Sequence, residues 1–221
     1  MTHAHGTDPS PVAPDGGAPS WRLLATLGGA GAVAGLLIVL AWRWTTPAIT
    51  AHRASVEQLA VDEVLRAPAR LDTVYLVNGA LTATPAGDRA RLERVYIGYD
   101  AKGGRVGVAV RAGEPGFSDV VSLMVGYDPA TMQLLGMKIL GQKETPGLGD
   151  KVEKDSAFVS QFASARAPLQ GVKARSGTDP SQVVTITGAT ISSRTVIRII
   201  NNALARWQPL VSALPDTKAR P

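Results

Sequence analysis

The chain contains no cysteine. That excludes disulfides, thiolate metal sites and iron–sulfur clusters in one step. An oxidising compartment is compatible with this absence but not required by it. Histidine is scarce too, with three residues, His3, His5 and His52. Two stand near the first residue and one just past an apolar run, which argues against an imidazole metal site or a Ser–His triad. The Lys and Arg are scattered and not interleaved with aromatic residues. No reading surface for nucleic acid is therefore expected. The net charge of +5 suits a position beside an anionic membrane equally well. No internal repeat occurs at the periods typical of solenoids.

What is present is 221 residues, 45% hydrophobic and 19% charged, which favours one domain with appendages. Residues 1–20 are rich in Pro, Gly and small polar side chains, and a disordered tail is expected there. Residues 23–42 carry no charge and, at about 1.5 Å per residue, reach roughly 30 Å, the thickness of a bilayer core. Trp21, Trp42 and Trp44 bracket the run, with Arg22 and Arg43 outside it, so 21–44 is expected to span a membrane. A buried core helix would not account for these symmetric flanks. A cleaved signal peptide would have a shorter apolar run and an A-x-A site, and a lipoprotein would need a cysteine. Gly31 and Gly35 form a G-x-x-x-G pair, repeated in spacing by Gly28 and Ala32, which suits docking on a partner membrane helix. Flanking charge leans towards a cytoplasmic C-terminal domain by a single residue.

Residues 45–72 read as a connecting helical segment limited by Pro68. Residues 73–214 read as an α+β domain, and 215–221 as a C-terminal tail. Strands are predicted at 74–77, 94–99, 106–111, 120–127, 134–141 and 183–187, where β-branched or aromatic residues stand between turn signals. Helices are predicted at 150–165 and 192–214. In the second, Val196, Ile199, Ile200, Ala203 and Trp207 share one face.

Two segments carry chemistry. In Thr187-Gly188-Ala189-Thr190-Ile191-Ser192-Ser193, Gly188 permits a tight bend and Ala189 adds little bulk. Thr190 then stands just before a helix amino end, where free N–H groups and the helix dipole favour a phosphate. The hydroxyls of Thr187, Ser192 and Ser193 lie nearby in sequence, and ordinary Ser/Thr capping would explain the same residues. In Glu144-Thr145-Pro146-Gly147-Leu148-Gly149-Asp150, Pro146-Gly147 fits the centre of a type II turn. Gly149 allows close approach, and Leu148 is an apolar side chain suited to a flat ring. A plain turn followed by an Asp150 cap is the simpler alternative.

Together these segments resemble the FMN-binding G subunit of the Rnf electron-transport complex, and the similar C subunit of the sodium-pumping NADH:quinone oxidoreductase. The likeness covers residues 21–208. Lys143 and Asp150-Lys151 around the loop look closer to Rnf. The resemblance implies an FMN joined through its phosphate to Thr190, placed there by a flavin transferase using FAD. It implies ring contacts from Thr145 and Leu148, with Glu144 and Gly147 shaping the loop and Thr187, Gly188, Ala189 and Ser192 around the phosphate. It also implies an electron-relay subunit among other membrane subunits of a ferredoxin/NAD-linked ion translocase, in the inner membrane with the domain on the periplasmic side. Val184 departs from the family pattern, which often has Asp three residues before the motif's first Ser/Thr. A membrane-anchored sensory module using FMN, and a structural anchor for other subunits, are the rival expectations.

Overall fold

The computed structural model describes residues 20–214. The two expected tails lie outside the described residues, except that Ser20 opens the first helix. Helix α1 is Ser20–Val64 and has Pro47 within it. The chain divides at His52/Arg53 into two units.

In the first unit the described residues are helical. Leu24, Leu27, Leu37 and Ile38 are exposed along them. Among the described residues, α1 is the one helix long and apolar enough to cross a membrane. The hydroxyls of Thr26, Thr45 and Thr46 donate to the carbonyls of Arg22, Ala41 and Trp42 at 2.9, 2.9 and 2.6 Å. These polar groups are thus satisfied within the helix.

The second unit is built on a six-stranded sheet of order β2-β1-β3-β4-β5-β6, with every pairing antiparallel. Its strands are β1 (Arg70–Val77), β2 (Ala80–Thr82), β3 (Arg94–Tyr99), β4 (Arg105–Pro115), β5 (Val120–Tyr127) and β6 (Leu134–Gly141). Side chains alternate faces along each strand. Val108, Val110, Leu123 and Val125 join the main core, which includes Val196, Ile199, Ile200, Leu204 and Trp207 of the last helix, α4 (Thr190–Ser212). Between them in sequence, Ala109 and Met124 join a second cluster with Ala60, Val61, Val64 and Leu65. The end of α1 therefore belongs to the core of this unit. Its buried positions are 57, 60, 61 and 64, the spacing of one helical face.

Glu57 is the polar member of that face. Its carboxylate accepts from Tyr96 Oη at 2.7 Å and from Arg94 Nε at 3.2 Å, and pairs with Arg111 Nη1 at 3.5 Å. Burial and then the Glu57 carboxylate push the Tyr96 phenol above its usual range.

The helix expected over 150–165 is broken. It divides into α2 (Lys151–Lys154), α3 (Ser156–Ser160) and a 3-10 turn at Gln161–Ala163. Asp155 interrupts it with an extended backbone, and its side chain caps α3 by accepting from Ala157 N–H and Phe158 N–H. A two-stranded parallel pair, β7 (Gln170–Val172) and β8 (Gln182–Val184), leads into α4.

Candidate functional site at the start of helix α4

The turn after β6 closes as its sequence requires. Thr145 O accepts from Leu148 N–H at 3.2 Å and from Gly149 N–H at 2.9 Å, with Pro146 and Gly147 between. Gly147 has φ +77°, the value of the third residue of a type II turn. Thr145, Gly147 and Leu148 are exposed, and Glu144 and Asp150 are buried. Asp150 holds an ion pair to Lys154 at 2.7 Å, and its Oδ1 has no partner. The Lys154 hydrogen bond keeps the Asp150 carboxyl below the usual range.

At the second segment Ala189 takes the position before the helix and makes no side-chain cap. Thr190 is the first helical residue, one step inside the expected position. The ladder begins with Ser193 N–H onto Ala189 O at 2.9 Å. The N–H groups of Thr190, Ile191 and Ser192 precede it and have no intrahelical acceptor. Ser193 is consumed locally, its hydroxyl accepting from Ile186 N–H and donating to Ala189 O. Ordinary capping therefore does not account for these hydroxyls. Thr190 is half-buried, Ala189 and Ser192 are buried, and Thr187 and Gly188 are exposed. Gly188 has φ +83°.

The fold brings the two segments into contact. A Cβ at Gly188 would lie 3.7 Å from Leu148 Cδ2. Ser192 Oγ donates to Glu144 Oε2 at 2.6 Å. Gly149 is needed for this approach, since a Cβ there would stand 2.7 Å from Glu144 Cβ and 2.9 Å from Ser192 Oγ. The close partner that Gly149 admits is thus the protein's own Glu144 and Ser192.

Glu144 also reaches a third segment. Its Oε1 accepts from Phe117 N–H and Ser118 N–H, each at 3.0 Å, in the turn between β4 and β5. Burial opposes its ionisation. The bonds from Ser192 and from the N–H groups of Ser118, Asp119 and Phe117 outweigh burial and hold the carboxyl below its usual range. This turn was not legible as part of the site, although Pro115-Gly116 is a turn signal. Each of the three segments meeting here exposes an apolar side chain: Phe117 is 67% exposed, Ile191 59% and Leu148 49%.

A cleft of about 730 Å³ opens beside it, lined by Lys151, Lys154, Phe158, Gln161, Val184 and Thr187. Gln161 engages both backbone groups of Val184, accepting from its N–H at 2.8 Å and donating to its carbonyl at 3.1 Å. Uncapped first-turn N–H groups, a hydroxyl beside them, neighbouring lysines and an exposed apolar turn are the features a flavin phosphate and ring require. The residues present fit FMN. Among the described residues no cluster suited to a metal ion occurs.

Comparison with known proteins identifies the family. Residues 116–205 match the family model of the FMN-binding domain. The chain is 31% identical over 174 residues to the G subunit of the ion-translocating oxidoreductase complex of Yersinia pestis, across 75% of this chain and 81% of the relative. It is 32% identical over 184 residues to the G subunit of the same complex in Escherichia coli K12, across 79% and 84%. The corresponding G subunit of Methanosarcina acetivorans is 26% identical across 83% and 92%. Among solved structures, NqrC of Shewanella oneidensis superposes with a TM-score of 0.60 over 74% of this chain and 100% of that one; at 18% identity the likeness is one of fold. The family resembled by the two motifs is the family found: this chain belongs to the G subunits of ion-translocating oxidoreductase complexes.

Proposed function

We propose that this protein is the membrane-anchored flavoprotein subunit of a redox-driven ion translocase of the Rnf type, relaying electrons through an FMN esterified to Thr190. The observation that carries this reading is the seating of Leu148 on Gly188, beside a threonine hydroxyl at the uncapped start of α4. Attachment would form a bond from Thr190 Oγ to the FMN phosphorus of FAD, break the pyrophosphate bond and release AMP. A threonine hydroxyl is a weak nucleophile, so a separate flavin transferase would take its proton and drive the step.

Within the complex the flavin supplies the redox chemistry, and this chain supplies position and electrostatics. The first-turn N–H groups of α4 would bind the phosphate. Leu148 and Thr145 would face the ring, while Gly147 sets the loop that presents them. In this reading 21–44 crosses the inner membrane, 45–72 connects while packing Ala60, Val61, Val64 and Leu65 into the core and opening β1 at Arg70, and 73–214 carries the flavin on the periplasmic side, between tails 1–20 and 215–221. The side is taken from family likeness against the one-charge lean of the flanking residues. The other membrane subunits of the complex are the partners.

Intact mass of the wild type and Thr190→Ala, each expressed with the transferase, tests the attachment. The wild type should be heavier by one FMN moiety and fluoresce on a denaturing gel, and the variant should do neither. Equal masses refute the link. A reporter fused after Pro221 that is active only in the cytoplasm refutes the orientation.

A further inference from the structure

Glu144 is 4% exposed and, among the described residues, forms no ion pair with Lys or Arg. The nearest lysine in sequence, Lys143, turns outward to Asp119 at 3.4 Å. The carboxylate is satisfied by dipoles alone: the N–H groups of Phe117, Ser118 and Asp119 and the Ser192 hydroxyl. Glycine at 116 and 149 leaves room for it, since a Cβ at either would crowd its oxygens, at 2.5 Å from Oε1 and 3.0 Å from Oε2. The fold thus encloses an anion that lacks a counter-cation, bonded to the third residue of the helix whose first residue is Thr190.

We propose that Glu144 is a positioning residue that sets the flavin's reduction potential, its buried charge holding that potential low. The proposal rests on the flavin site at Thr190. Uptake of two electrons and one proton by the isoalloxazine adds one negative charge to the ring. A fixed anion next in sequence to the loop that faces the ring opposes that addition by Coulomb repulsion. The surrounding hydrogen bonds keep the charge in place but do not cancel it, because a dipole's field falls off faster than a charge's. A carboxylate needed only to tie three segments together would change stability, and leave the flavin midpoint where it is, when replaced by an amide.

The test is spectroelectrochemical titration of the full-length, detergent-solubilised, flavinylated protein, the electrode supplying electrons through mediator dyes and the buffer supplying the proton. Flavin fluorescence on a denaturing gel is checked first; a colourless wild type defeats the attachment at Thr190 and not this inference. Glu144→Gln keeps the shape and an acceptor oxygen while removing the charge, so its midpoint should move to more positive potential. Ser192→Ala removes one compensating dipole and keeps the charge, so its midpoint should move the other way. A Glu144→Gln midpoint equal to or below that of the wild type overturns the proposal. Where Glu144→Gln does not fold, Ser192→Ala decides: a midpoint unchanged or raised overturns it.

Discussion

Around Glu144 the side chains are packed tightly enough that single atoms matter. Gly149→Ala would place a methyl 2.7 Å from Glu144 Cβ, 2.9 Å from Ser192 Oγ and 3.0 Å from Glu144 Oε2, where the hydroxyl and the carboxylate are already bonded to each other. A loss of about 2 kcal/mol is expected from such overpacking, read as a lower denaturant midpoint at unchanged slope. The charge of Glu144 gives a pH signature. Its folded value is depressed, so its contribution to stability is complete above the unfolded carboxyl value of ~4.3 and disappears as pH falls through the lower folded value. The thermal midpoint of the wild type should exceed that of Glu144→Gln at pH 7, and the gap should close on acidification below that value. A gap constant down to about pH 3 would show that the carboxylate is not preferentially ionised in the folded state. The residue types of both loops could be read from sequence, because turns and helix starts have local signatures. The bond from Ser192 to Glu144 spans 48 positions, and the turn at 116–119 arrives through sheet pairing. Neither has a local signature.

Helix α4 combines a buried stripe with an exposed start. Ile199 is fully buried and Ile191 is 59% exposed, on one helix and with one side-chain chemistry. Ile199→Ala should cost about 3 kcal/mol, from lost transfer energy and the cavity left behind. Ile191→Ala should change stability by no more than ~0.5 kcal/mol. Chemical denaturation of the pair measures both, and comparable losses would contradict the burial pattern. This stripe was legible from its 3.6-residue period. The break at Asp155 was not, although Asp155-Ser156 is a standard helix-start pair; the apolar spacing on either side of it hides the interruption. The short strands β2 and β7 escape because three residues are too few to show alternation.

At the scale of the whole chain, the glycines of the apolar run meet nothing within 4 Å at Gly31 and Gly35. Replacing both with leucine would fill the groove a second helix needs. Co-purification with the other membrane subunits should fall on the order of tenfold, while the melting of the soluble unit stays put. Undiminished co-purification would mean that another surface of the protein makes the contact.

The docking of the last turns of α1 on the sheet governs how the protein can be cut. Ala60, Val61, Val64 and Leu65 are each no more than 1% exposed. A soluble fragment begun at residue 73 would leave Ala109 and Met124 facing solvent and strip Arg94, Arg111 and Tyr96 of their shared acceptor. Such a fragment should aggregate on expression, whereas one begun at Arg53 carries its own lid and should stay monomeric on a sizing column.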